Sequence, residues 1–281
     1  MNLITWNVQW CRGVDGHVDP QRIAHTARAL ADFDVLCLQE VAVHFSGLAG
    51  SAGEDQMAAL SAALPGYQPV FGVATDLSEV SGHRRHFGNA VFTRLPVLQV
   101  FRHLLPWPAD PAVPSMQRIA LEVVLQSHAG PLRVISTHLE YYSAVQRTAQ
   151  VEELRRLHRE ACAHAKRPRV AGDAGSPFEV AARPASGLVC GDFNFPPDSP
   201  EHAAITAPFA DGAPALLDAW TCAHAAEAHP ITAGLYDRAW QQPCCFDFVF
   251  VTADLASRLQ RVEVDASTQA SDHQPLLVEL A

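Results

Sequence analysis

Leu188-Val189-Cys190-Gly191-Asp192-Phe193-Asn194 is the stretch on which the fold turns. A short apolar run reads as a buried strand, and an acid and an amide follow where the run ends. The same oddity recurs along the chain. Thr5-Trp6-Asn7, Leu38-Gln39-Glu40, Ser136-Thr137-His138-Leu139 and Ser271-Asp272-His273-Gln274-Pro275 each put polar side chains where an apolar strand ends or is interrupted. Taken singly, such residues are ordinary boundary or turn formers. Together they supply carboxylates, amides and two imidazoles, a set that suits Mg²⁺, which takes one or two carboxylates and keeps several waters.

Outward from these segments, strands alternate with a few amphipathic helices. Met1 to Trp10 opens as a strand, and Asp19-Pro20 is a cap with proline at the first helical position, followed by Ile23, Ala27 and Leu30 at helical spacing. Val35 to Leu38 reads as a buried strand ending at Gln39-Glu40, and Met57, Leu60 and Leu64 mark a second helix closed by Pro65-Gly66. Strands are expected at about 68–73, 89–93, 97–103, 119–126 and 132–137, the last two joined by a turn at Ser127-His128-Ala129-Gly130. The longest helix is expected from about Ser143 to Ala165, with Val151, Leu154, Leu157 and Ala161 on one face. Lys166 to Ser186, rich in Pro, Gly, Ala and Arg, reads as a surface loop, and Asp173 within it imitates the Gly-Asp pattern without a strand leading in. A short helix capped by Ser199-Pro200 and strands at about 246–252, 261–264 and 276–280 complete the chain. No repeat or linker interrupts it, so a single domain over 1–281 is expected. The pattern suggests α/β architecture with two packed sheets flanked by helices.

Composition narrows the class. The chain has 281 residues, 48% of them hydrophobic and 18% charged, an ordinary globular balance. With no basic and apolar leader and no apolar run of about 18 residues, a soluble, cytoplasmic protein without a membrane partner is expected. Seven cysteines without paired ligand spacing argue against a zinc centre and agree with a reducing compartment. Thirty acidic residues against 20 basic ones give a net charge of −10, which argues against a grip on long duplex DNA through its phosphates.

In order and approximate spacing, these segments resemble the endonuclease/exonuclease/phosphatase superfamily, the group of deoxyribonuclease I, apurinic endonucleases, sphingomyelinases, inositol polyphosphate 5-phosphatases and deadenylases. The resemblance runs from Thr5 to Pro275 and also includes Gly88-Asn89-Ala90-Val91 and Phe246-Asp247-Phe248-Val249-Phe250. It implies a four-layer α/β sandwich in which two mixed sheets pack together between helices. It also implies a Mg²⁺-dependent hydrolase, with Mn²⁺ able to substitute, that cleaves a phosphodiester or phosphomonoester by water attack on phosphorus. By the same resemblance Glu40 is the principal metal carboxylate, with Asn7 and Asp272 beside it. Asp192 orients and deprotonates the water, with Asn194 holding the phosphate or that water. His273 bonds a phosphate oxygen with its tautomer fixed by Asp247, and His138 is the second phosphate-facing imidazole. Asn89 and Arg118 fall where similar proteins keep supporting polar residues.

Two further features bear on substrate. His83-Arg84-Arg85-His86 is the densest cationic stretch, and guanidinium groups suit phosphate oxygens. Tyr141-Tyr142 follows His138-Leu139-Glu140 closely enough to stand beyond the same strand end, where aromatics can stack on a base. A solvated loop and two tyrosines packed at a helix start are the plain alternative. Subfamily patterns exclude some members. The Trp-Cys-Asp-Arg stretch of inositol phosphatases is missing, Asn194 is followed by Phe195 rather than Arg, and Ala42 stands where apurinic endonucleases carry Lys. A nuclease or phosphodiesterase acting on short or single-stranded nucleic acid or a small phosphodiester remains. A sphingomyelinase-like lipid diesterase, or a silent member that binds a phosphorylated partner, stays open beside it.

Overall fold

The computed structural model describes residues 1–79, 82–168, 172, 174–179, 181–225 and 227–281. The chain begins β1 (Asn2–Asn7), α1 (Pro20–Leu30), β2 (Val35–Val43), α2 (Gln56–Ala63), β3 (Gln68–Ser78) and β4 (Arg84–Thr93). It continues β5 (Val97–Leu104), β6 (Ile119–Ser127), β7 (Gly130–His138), α3 (Ala144–Lys166) and β8 (Gly187–Asp192). The last part is α4 (Pro200–Thr206), β9 (Leu216–Asp218), α5 (Ala219–His224), β10 (Asp247–Thr252), β11 (Leu259–Val264) and β12 (Leu276–Leu280).

Local sequence explains the helix starts. Asp19 Oδ1 accepts from the backbone N–H groups of Gln21 and Arg22, Ser143 Oγ from that of Gln146, and Ser199 Oγ from that of His202. Each such cap is worth about 1 kcal/mol.

The strands form two six-stranded sheets, ordered β11-β12-β1-β2-β4-β3 and β5-β6-β7-β8-β10-β9. Both are mixed, because β1 pairs parallel with β2 and β7 parallel with β8 while their other neighbours run antiparallel. Alternation along each strand divides the side chains between two cores. Leu3, Cys37 and Val91 of one sheet meet Val123, Val134, Cys190 and Val249 of the other in the layer between the sheets. Ile4, Trp6, Leu36 and Leu38 face outward onto Ile23 and Ala27 of α1 and Leu60 of α2. On the far side, Ile135, Val189 and Phe248 lie against Val151, Leu154 and Leu157 of α3. The result is the expected four-layer sandwich. Strands covered on both faces read as unbroken apolar runs, and each fully buried Leu or Val contributes roughly 1.5–3 kcal/mol.

Four expectations need correction. β4 begins at Arg84 rather than near Asn89, because its polar start pairs with β3 from Ser78 to Asp76 and with Val43 of β2. β2 does not end at Glu40 but continues to Val43 through a register shift between Leu38 and Val41. β9 and α5, where Asp218 caps Trp220, were not foreseen. Among the described residues of 167–186 there is no helix or strand, yet the segment is not simply surface: Arg183 reaches inward to Glu122 and Glu160 and stacks on Phe101. Asp173 lies outside the described residues.

Candidate active site

The polar segments converge because the two sheets end at the same edge of the sandwich. In one sheet, Asn7 closes β1 opposite Gln39 of β2. In the other, His138 closes β7 beside Asp192 at the end of β8, and Asp192 in turn pairs with Asp247 at the start of β10. His273, just before β12, is tied to the first sheet through its carbonyl, which accepts from Trp6 Nε1 at 2.9 Å. Gln39 locks the sheets together beneath the site, donating to Thr5 Oγ1 and Ser136 Oγ.

Two backbone irregularities aim the acids. Glu40 sits in the β2 irregularity with φ of 62°, a left-handed conformation uncommon for a side-chain-bearing residue. Gly191, with φ of 140°, must be glycine, since a Cβ there meets Thr137 O at 1.9 Å. The close approach of β7 and β8 at that point brings His138 and Asp192 together.

Asp192 is the hub. Its Oδ2 accepts from Asn7 Nδ2 at 2.9 Å and lies 3.5 Å from His138 Nε2 and 3.8 Å from His273 Nε2. Its Oδ1 accepts from the Asn194 backbone N–H at 2.9 Å. Burial, only partly offset by His273, pushes the Asp192 carboxyl up to about 7. The imidazoles diverge. Burial, aided by Arg118 and His273, drives His138 well below its ordinary value, so it is neutral. Burial opposes protonation of His273 as well, but the carboxylates of Asp247 and Asp192 outweigh it and hold His273 well above its ordinary value as the imidazolium. Asp247 Oδ2 accepts from His273 Nδ1 at 2.8 Å.

Glu40 and Asp272 face the same cleft, which has a volume of about 1030 Å³. Burial and the nearby Asp272 raise the Glu40 carboxyl. Asp272 Oδ2 accepts from Gln9 Nε2 at 2.7 Å and Trp240 Nε1 at 3.2 Å. Two repelling carboxylates on a partly dry surface fit a hard divalent cation, whose charge relieves the repulsion. Asn7 stands differently. Its amide nitrogen faces Glu40 Oε1 and Asp192 Oδ2, while its oxygen accepts one hydrogen bond, from the Gln9 backbone N–H, and keeps a second lone pair. Asp192, Asp247 and His273 also form a compact group with metal-compatible atoms, though the Asp247–His273 hydrogen bond occupies part of it.

The remaining sequence candidates separate into two sets. Arg118, Asn194, Tyr141 and Tyr142 line the cleft. Asn89 does not: it is buried between the sheets, donating to Ile119 O and Ser136 O. Arg84 and Arg85 are also outside the lining, the first paired with Asp76 at 2.8 Å and the second lying over the Phe45 ring at 5.2 Å. Sequence reading missed Glu140, which holds Arg118 Nε at 3.2 Å and accepts from the Tyr142 backbone N–H. The β6–β7 hairpin could have revealed it, because pairing Ala120 with Thr137 leaves Arg118 and Glu140 just beyond matching strand ends. Gln9, Trp10 and Trp240 were missed too, the first two in a short 3-10 turn at Gln9–Cys11 and the third in an irregular segment, while Phe246, read only as a strand start, lies just ahead of β10.

With this geometry in hand, comparison is decisive on class. The model of the endonuclease/exonuclease/phosphatase family matches residues 4–273. The chain belongs to that family. An endonuclease/exonuclease/phosphatase from Beutenbergia cavernae is similar in structure at 24% identity with a TM-score of 0.66, over 99% of this chain and 70% of that one. A mannosyl-6-phosphatase of Bacteroides thetaiotaomicron matches at 18% identity and a TM-score of 0.68, over 100% and 99%. D. rerio TDP2, complexed with single-strand DNA product, matches at 17% identity and a TM-score of 0.63, over 99% and 97%. At such identities these likenesses speak for the fold. No curated protein matches the sequence.

Proposed function

We propose that this family member is a Mg²⁺-dependent phosphoesterase, with Mn²⁺ able to substitute, that cleaves its substrate by attack of water on phosphorus. The observation that carries the reading is the Asp192 carboxylate held between Asn7, His138 and His273 on the floor of a cleft that also holds Glu40 and Asp272. Asp192 Oδ2 takes the proton of the attacking water, and Asn7 and the Asn194 N–H keep that carboxylate oriented. His273, charged and held by Asp247, donates from Nε2 to a phosphoryl oxygen as negative charge builds there. Neutral His138 lines the same floor and offers a second contact, this one uncharged. Glu40 and Asp272 would hold the cation, which when bound supplies charge neutralisation to the phosphoryl group.

A phosphatase and a DNA-product complex among proteins of the same fold support chemistry at phosphorus. A diesterase acting on short or single-stranded nucleic acid or a small phosphodiester agrees with the net charge of −10. A cytoplasmic setting agrees with seven free cysteines, and no described helix is long and apolar enough to cross a membrane. The test is hydrolysis of bis-p-nitrophenyl phosphate. EDTA should abolish it and Mg²⁺ or Mn²⁺ restore it, and Glu40→Gln should raise the metal concentration required. Full activity in EDTA overturns the reading.

A further inference from the structure

The walls of the cleft differ in chemistry from its floor. Tyr141, Tyr142, Trp240 and Phe246 form a continuous aromatic surface. Tyr141 meets Tyr142, Trp240 and Phe246 edge-on at centroid distances of 4.8, 6.4 and 6.3 Å, and Trp240 meets Phe246 at 6.0 Å. Such contacts pre-order the rings, yet Tyr141 is still 45% and Tyr142 58% exposed. An apolar surface left open beside a polar floor marks a place for a ligand.

The charge of the lining limits what that ligand carries. Among the described residues that line the cleft, Arg118 is the only Arg or Lys, and its guanidinium is already paired with buried Glu140. His273 Nδ1 is likewise already bonded to Asp247 Oδ2, at 2.8 Å. Glu40, Asp192 and Asp272 stand on the same surface. A substrate with several phosphates enters with charge that this lining, whose one Arg is already paired, leaves uncompensated. A monoanion does not.

We propose, resting on the phosphoesterase reading above, that the cleft selects a monoanionic phosphodiester bearing a planar, uncharged aromatic group. That group lies against the wall of Tyr141, Trp240 and Phe246 while the phosphorus sits over Asp192. A nucleobase and a simple aryl ester present the same chemistry to such a wall, because both offer a flat π-face.

Binding and turnover test this separately. Binding is read as the change in tryptophan fluorescence, to which Trp240 contributes, in the Asp192→Asn variant with Mg²⁺. The probes are diphenyl phosphate, thymidylyl-thymidine, dimethyl phosphate and inorganic pyrophosphate. Diphenyl phosphate or the dinucleotide should bind about tenfold or more tighter than dimethyl phosphate, the scale of one stacked ring, and also tighter than pyrophosphate. Whichever of the two aromatic probes binds tighter identifies the source of the ring. Tyr141→Ala, a change at an exposed position, should shrink that preference to within about threefold, since one stacking partner is gone. Equal binding of dimethyl phosphate, tighter binding of pyrophosphate, or a preference untouched by Tyr141→Ala overturns the proposal. Hydrolysis of bis-p-nitrophenyl phosphate by the unmodified protein is measured in parallel. Turnover without the aromatic preference removes the substrate class alone. The preference without metal-dependent turnover removes the enzymatic reading.

Discussion

His273 Nδ1 lies 2.8 Å from Asp247 Oδ2, while the other oxygen of Asp247 is buried without a hydrogen-bond partner. A buried carboxylate oxygen left without a partner is costly to the fold, so the value of Asp247 lies in what it does to the imidazole. Asp247→Asn removes the charge that keeps His273 protonated. The His273 imidazole should then titrate at lower pH in NMR spectra, and kcat should fall by about 10²-fold or more. Folding stability should change by no more than about 1 kcal/mol. An unshifted His273 titration sinks the assigned role.

Asp192 and His273 serve the same proposed step from neighbouring positions on the cleft floor, 3.8 Å apart. Asp192→Asn and His273→Ala should each lower kcat by about 10²- to 10⁴-fold, the range for losing a positioned acid–base or charge-stabilising group. Steady-state kinetics on bis-p-nitrophenyl phosphate decide it. A variant that keeps more than about a tenth of the kcat, far above that range, does not carry the role given to it.

Gly191 ties this pair to the backbone. A methyl group there collides with Thr137 O and needs a conformation, φ 140°, that alanine avoids. Gly191→Ala should therefore force β7 and β8 apart at the very residues that carry His138 and Asp192. Strain of this kind costs of order 1–3 kcal/mol, and kcat should fall with Tm. A variant as stable and active as the parent shows that the strand spacing at Gly191 is not what sets the site.

Much of this arrangement is legible in the chain because its signals are local. Asp19-Pro20, Ser143 and Ser199-Pro200 announce helix starts through bonds made within three residues. Unbroken apolar runs announce strands covered on both faces. The polar residues that end those runs do gather at one edge of the sandwich. What escaped depends on distant pairing. The turn in β2 that aims Glu40 is fixed by the registry with β4, not by residues beside Glu40. Arg84 and Arg85 read as a rim because their charge is visible, whereas Asp76, which occupies Arg84, lies on the neighbouring strand. Trp240 joins Tyr141 only once an irregular segment is folded over the cleft, and no spacing records that.

A pH effect on stability should arise far from the cleft, at His158. Its Nδ1 accepts from Arg133 Nη2 at 2.9 Å and its Nε2 donates to Pro214 O at 2.8 Å, so the ring is neutral. Burial and then the Arg133 charge push its pKa down to about 4 from 6.5. The folded state thus binds fewer protons than the unfolded one below pH 6.5. Stability from this residue is complete above the unfolded value and is lost as pH falls from about 6.5 toward 4, by up to roughly 3 kcal/mol. Neutral His138 adds a slope of the same sign, so the comparison must be with His158→Gln. Urea melts should show the parent losing more stability than the variant between pH 7 and 5. Parallel curves mean that His158 does not titrate in the fold.

The last prediction concerns long DNA. Duplex binding draws its strength from several Lys or Arg side chains that displace counterions from phosphates, and it weakens steeply with salt. This chain carries a net charge of −10, and among the described cleft-lining residues only Arg118 is an Arg or Lys, already paired with Glu140. The densest cationic stretch offers little more, since Arg84 is held by Asp76 and Arg85 lies over Phe45. Each missing phosphate contact removes about one unit from the slope of log affinity against log salt. Nicking of supercoiled plasmid at about 150 mM salt should therefore be slow. In the same buffer, kcat/KM for a dinucleotide or bis-p-nitrophenyl phosphate should exceed that for plasmid phosphodiesters, and lowering the salt should change it little. Rapid plasmid nicking with a steep salt dependence means that a basic duplex-binding face exists outside the cleft, and that the cleft charge does not select the substrate.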